Sequence, residues 1–241
     1  MALKTKTGEH FMILLKLGQR EHMEMLRKGL LYMNSLAFFT SLEADPARGD
    51  PFEGTDSIIQ PCDIGQFTID PQIPTFEKIN ITASDLAGPV RIALHQTSYC
   101  NIFCMFAVNR PIEGPIFPKS YQSFGDSFLL FTNTQEFLLR VMDAAKRQGL
   151  QGEARLVEYY DALKYSGQTG RFRKPSIYSR QSEYRIILET EVEGPFRFEI
   201  GDLRDITSEI LPLDFADDIL KFRPEDAEAA GLTWDQISSQ G

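Results

Sequence analysis

The chain has 241 residues, 42% of them hydrophobic, which is enough apolar length for one large buried core. Its 34 Asp and Glu outnumber 25 Lys and Arg, a formal charge of −9 that excludes a molecule-wide attraction to nucleic acid or anionic lipid. Cys62, Cys100 and Cys104 cannot all pair and match no zinc spacing, and His10, His22 and His95 stand far apart, so reduced thiols and no histidine metal centre are expected.

The opening residues Met1 to Thr7 are too polar and too few before the first apolar run for a signal peptide, and that run, Phe11 to Leu17, is far below bilayer-spanning length. Cytoplasmic residence, away from membranes, is the simplest expectation. His10 to Leu17 reads as a buried strand with His10, Met12, Leu14 and Lys16 on one face. Gln19 to Lys28 reads as a helix with Met23 and Leu26 inward and Gly29 as its stop, and Leu30 to Phe39 as a second strand.

Pro and Gly make residues 43–55 a loop, and short strands or irregular structure are expected on to Pro89. Val90 to Gln96, Tyr99 to Val108 and Ser127 to Thr132 carry strand patterns. Asn133 then opens the strongest helix, with Glu136 completing a capping box, Phe137, Leu138, Val141, Met142 and Ala145 as its apolar stripe, and Gly149 beyond its end. Glu153 to Leu163 is ambiguous between helix and strand. Glu183 to Glu191 reads as a strand, turned at Gly194-Pro195 into a hairpin partner, Phe196 to Ile200. An acidic segment with a short helix near Asp214 to Phe222 closes the chain. The expected organisation is a single α+β domain over 1–207 with an acidic C-terminal extension over 208–241.

Two neighbouring features carry chemistry. Gln181 and Glu183 form a Gln-x-Glu triplet at the mouth of a strand, where residues two apart face one way and can meet one ligand. Between Lys164 and Arg180 lie five basic residues and no acidic one, Lys164, Arg171, Arg173, Lys174 and Arg180, a local positive stretch suited to an anionic ligand. Tyr165, Phe172 and Tyr178 are interleaved with it, as single-stranded nucleic acid recognition requires.

Strand, helix, strand, then further strands with Gln-x-Glu opening a late one: this order resembles the ADP-ribosyltransferase superfamily of the bacterial toxin or phage-defence kind. The resemblance implies a split antiparallel β-sheet core with flanking helices, a cleft for NAD, and transfer of ADP-ribose to RNA, DNA or protein. Carried over by position, the basic or His element of the first strand falls on His10 or Lys16. The second-strand element falls on Tyr32 with Asn34 and Ser35, and the late carboxylate on Glu183 with Gln181. Glu183 would steady the ribose cation, Gln181 would orient the acceptor, Tyr32 would stack on nicotinamide, and Lys16 or an arginine would hold the pyrophosphate. Arg185 joins the NAD-binding set, and Arg171, Arg173, Lys174 and Arg180 the acceptor set. The first strand offers Lys16-Leu17-Gly18 where the family has Arg-Gly or His-Gly, and no Ser-Thr-Ser follows on the second. An inhibitory antitoxin partner is a further implication, with the acidic tail as its handle.

Two other readings stand beside this one. A non-enzymatic interaction module would use the same cleft for a partner segment. A metal-dependent nuclease would draw on Asp45, Arg48, Asp50, Glu53 and Asp56 in the loop after the second strand.

Overall fold

The computed structural model describes residues 2–5, 12–41, 50, 52–73, 75–93, 99–109, 115–220 and 232–235. His10, Asp45, Arg48 and His95 lie outside the described residues. In chain order the first elements are β1 (Ala2–Thr5), β2 (Ile13–Gly18), α1 (Arg20–Arg27), β3 (Leu30–Ser35) and α2 (Leu36–Thr40). Short strands follow, β4 (Ser57–Ile59), β5 (Gln66–Ile69), β6 (Ile79–Thr82) and β7 (Val90–Ile92), then the long β8 (Cys100–Val108), β9 (Ser127–Phe131) and α3 (Thr134–Arg147). The last part holds β10 (Gln151–Leu156), β11 (Glu158–Tyr160), β12 (Gly167–Gln168), β13 (Arg173–Pro175), β14 (Glu183–Glu189), β15 (Phe196–Glu199), β16 (Leu211–Pro212), α4 (Ala216–Leu220) and β17 (Leu232–Asp235). Largely antiparallel sheets with few helices make this an α+β fold. Among the described residues no helix is long and apolar enough to cross a membrane.

Both longer helices form where capping and apolar spacing agree. The Asn133 side chain accepts from Glu136 N–H at 3.0 Å, so it caps α3. Glu136 turns to Arg140 at 2.7 Å, an i, i+4 pair within the helix. Phe137, Val141, Ala144 and Ala145 then bury one stripe against Phe103 and Met105 of β8 and Tyr184, Ile186 and Leu188 of β14. Burying a ring such as that of Phe137 stabilises by roughly 1.5–3 kcal/mol. In α1, Met23 and Leu26 are buried and Gly29, at φ +97°, ends the helix. A Cβ on Gly29 would fall 2.2 Å from the Gly201 carbonyl oxygen, so only glycine fits that close approach.

The central sheet runs β10-β14-β8-β2-β9-β16. One edge of β8 is paired to β14 from Cys100 to Phe106. Its other edge is divided. Near its start, Asn101 and Ile102 pair with Ser35 and Asn34 of β3, and near its end Phe106, Ala107 and Val108 pair with Leu15, Leu14 and Ile13 of β2. Between them, Phe103 to Met105 have no ladder partner on that edge among the described residues. β2 and β3 therefore splay apart from a common strand, and α1 bridges them.

Four expectations are revised. Leu30 to Phe39 is not one strand: the buried Ser35 accepts from Phe38 N–H at 3.3 Å and starts α2, because serine caps a helix better than it continues a ladder. Phe196 to Ile200 does not pair with β14; β15 lies antiparallel on β3, with Arg197 opposite Tyr32. The Asn101 amide explains the diversion, donating to the Met33 and Gly194 carbonyls at 3.2 and 2.9 Å and so pulling the turn toward β3. The ambiguous 153–163 segment is strand as far as Tyr160, in β10 and β11, and then a turn. Within the expected extension, β16 pairs with β9 and Ala216 and Leu220 pack into a core cluster with Leu15 and Phe128, so 211–220 belong to the main fold.

Candidate functional site

A cavity of about 590 Å³ opens in the fork between β2 and β3. Its floor is the unpaired stretch of β8, Phe103 to Met105. Lys16 enters from β2, Tyr32 and Asn34 from β3, and Lys174, Gln181 and Glu183 from the far end. Alternation along β3 explains the second wall: Leu31 and Met33 are fully buried in the core, so Tyr32 and Asn34 face the other way, and Tyr32 stays 40% exposed at the rim.

Gln181 and Glu183 reach the cavity by a different route from the one expected. Gln181 ends a 3-10 turn, Ser176–Gln181, and Ser182 stands in the left-handed region at φ +40°, so simple strand alternation does not relate them. Lys174 does. Its buried ammonium donates to Gln181 Oε1 at 3.1 Å and to Glu183 Oε2 at 2.8 Å, gathering amide and carboxylate at one end of the cavity. Lys174 is thus an internal strut, and not the surface contact for an acceptor that its place in the basic run suggested.

Glu183 sits in a buried network of two cations and two carboxylates. Arg185 Nε donates to Glu183 Oε1 at 2.5 Å, while Arg185 Nη1 and Nη2 meet Glu53 Oε1 and Oε2, each at 2.7 Å. Arg185 Nη1 also reaches the Arg171 carbonyl at 2.5 Å. Arg185 is consequently committed inside the protein and does not line the cavity, which removes it from the ligand-binding set. Ser35 leaves that set too, since its hydroxyl caps α2.

Burial disfavours a charged Glu183, but Arg185 and Lys174 outweigh it and hold the carboxyl well below the usual carboxylate range. Burial likewise works against a charged Lys174, yet Glu183 raises its ammonium above the ordinary lysine value. Lys16 behaves oppositely. Burial pulls its pKa down, only partly offset by Cys104 and Glu183. Its Nζ donates to the Cys104 carbonyl at 2.6 Å and lies 4.3 Å from the Phe103 ring centroid, so it occupies the gap that a ladder partner would fill. The site therefore offers an ionised carboxylate, a poorly solvated amine and an aromatic ring around one space.

Three of the remaining basic residues are paired with carboxylates at the surface. Arg171 pairs with Glu189, Arg173 with Glu158 at 2.8 Å and Lys164 with Asp161 at 3.5 Å. Phe172 is core, and Tyr165 donates to the Gln168 carbonyl at 2.6 Å. The Arg180 carbonyl accepts from the Tyr121 hydroxyl at 2.8 Å, tying its turn to the body of the protein. The stretch is thus not the continuous positive patch that its sequence suggested. In the expected nuclease loop, Glu53 turns inward to Arg185, and the buried Asp50 is pushed up to about 6, mostly by burial and then by Glu53. No group of three or more His, Cys, Asp or Glu among the described residues could hold a metal ion.

Sequence reasoning missed Arg197, and it assigned Glu53 to a metal-binding loop where the structure sets it against Arg185. The Phe196-Arg197-Phe198-Glu199 alternation could have found the first, because burying Phe198 turns Arg197 to the opposite face, beside Tyr32. Nothing in the sequence tied Glu53 to Arg185, 132 residues away. Compared with protein families, curated proteins and solved structures, the chain matches none.

Proposed function

We propose that the cavity binds NAD and that the protein is an ADP-ribosyltransferase of the toxin or phage-defence kind. One observation carries this reading: Glu183 and Tyr32, from opposite ends of the sequence, line the same cavity in the fork of the sheet. The forked sheet also suits the split core that this superfamily has. In the reaction the bond between C1′ of the ribose and the nicotinamide nitrogen breaks, its electron pair leaving with nicotinamide. The positive charge left on the sugar is steadied by a carboxylate that is already ionised and fixed, so little reorganisation is needed as the charge develops.

Glu183 has both oxygens engaged by cations, yet a carboxylate accepts at about four lone-pair sites, leaving room for a ribose hydroxyl. Tyr32, at the rim, would offer its ring to nicotinamide, and Gln181 would face the acceptor. The acceptor, a nucleic acid or a protein, attacks C1′ and loses a proton to complete the transfer.

The test is nicotinamide release and acceptor mass shift on incubation with NAD and with RNA, DNA or lysate. Glu183→Gln should abolish release, and Tyr32→Ala, which touches no buried contact of the core, should raise KM for NAD. Unchanged activity in Glu183→Gln would refute the reading. A second reading, an interaction module, is favoured by the β5–β6 hairpin, whose Ile69, Ile73, Phe76 and Ile79 are exposed, Phe76 by 66%. Absence of any thermal shift with NAD would favour it.

A further inference from the structure

Three cations line the cavity, Lys16, Lys174 and Arg197, and they differ in what they are free to do. Lys174 is held by Glu183 and Gln181, and Lys16 by the Cys104 carbonyl. Arg197 is exposed and, among the described residues, forms no ion pair with a carboxylate. Its guanidinium lies instead over the Tyr32 ring, 5.0 Å from the centroid, in direct cross-strand register.

That arrangement fixes the guanidinium at the rim while leaving its donors without a hydrogen bond among the described residues. An arginine laid on an aromatic face loses little mobility on meeting a ligand and presents a planar fork that matches two phosphate oxygens at once. The negative charge of Glu183 beyond it is already balanced by Lys174 and Arg185, so it does not cancel the field at the mouth.

We infer that Arg197, seated on Tyr32, is an anion-binding residue of this cavity and takes the diphosphate group of a nucleotide ligand. The inference rests on the NAD reading for the identity of that nucleotide but not for the anion site itself. Arg197 and Tyr32 then act as one unit, in which the ring positions the cation and the cation orients the ligand's diphosphate.

The experiment is isothermal titration of wild type, Arg197→Ala and Arg197→Lys with pyrophosphate, ADP, NAD and nicotinamide at low salt. Arg197→Ala should weaken ADP and pyrophosphate binding by about tenfold or more, with nicotinamide unaffected and Arg197→Lys intermediate. Tyr32→Ala should weaken ADP in parallel. Wild type that binds neither pyrophosphate nor ADP, or Arg197→Ala that binds ADP as wild type does, would overturn the inference. Loss of ADP binding in Arg197→Ala, in a protein that neither binds nor cleaves NAD, would uphold the anion site and sink the NAD reading. Normal NAD turnover by Arg197→Ala would do the reverse. Thermal melts verify folding, and Arg197, being exposed, should leave the midpoint unchanged.

Discussion

Arg185 and Glu53 meet fork to fork, Nη1 on Oε1 and Nη2 on Oε2 at 2.7 Å each, and this pair clamps the loop before β4 onto the face of β14. Both side chains are almost wholly buried. Glu53→Ala leaves a buried guanidinium short of a counter-charge, which costs about 3–5 kcal/mol. Urea unfolding should record the loss as a lower midpoint at unchanged slope, and added NaCl should alter it little, because buried pairs are poorly screened.

Asp50 supplies a pH test whose sign is opposite to that of an ordinary carboxylate. Its folded pKa of about 6 lies above its ordinary 3.8, so its contribution to stability is fully present below 3.8 and is lost as pH rises through 6. Its Oδ2 is buried with no hydrogen-bond partner among the described residues, while Oδ1 accepts from Phe52 N–H at 2.9 Å, a bond that asparagine can keep. Asp50→Asn should therefore be more stable than wild type at pH 8 by on the order of 1–3 kcal/mol, with the difference vanishing near pH 4. Thermal melts of the two proteins across that range measure it.

Lys16 should titrate below the ordinary lysine value. Reductive 13C-methylation and NMR would show its resonance moving at a pH under the ordinary 10.5, in keeping with the burial that depresses it. Ligand entering the cavity should shift that resonance first, since Lys16 lines the space. A resonance titrating at or above 10.5 would contradict the burial of its ammonium.

The cysteines should differ sharply in reactivity. Cys62 is exposed, whereas burial pushes the Cys100 thiol up to about 11 and Cys104 up to about 12. A thiol reagent on the native protein should release one equivalent quickly from Cys62, and the other two only on unfolding. Cys62→Ser should remove the fast phase.

Local order was legible wherever a few adjacent residues decide it. Asn133, Phe137 and Val141 specify α3 by cap and spacing, and Met23, Leu26 and Gly29 do the same for α1. Long-range order was not. Nothing near Gly194 announces that the Asn101 amide will donate to its carbonyl and send β15 to β3. Lys174 looks like a surface cation within a basic run, and only Glu183 and Glu53, brought from elsewhere, make it an interior one. The Gln-x-Glu triplet marked the right place for an incomplete reason, since the backbone turns at Ser182 and the two side chains are reunited by Lys174.

The floor of the fork is peptide backbone, and its Cys104 carbonyl is a polar feature that no side-chain replacement can delete. Substituting Cys104 itself would leave that oxygen in place, so the hydrogen bond from Lys16 can survive the change even though the electrostatic influence of the Cys104 side chain on Lys16 would be lost. Drift at this position can change the lining of the chamber while conserving the bottom on which its amine rests.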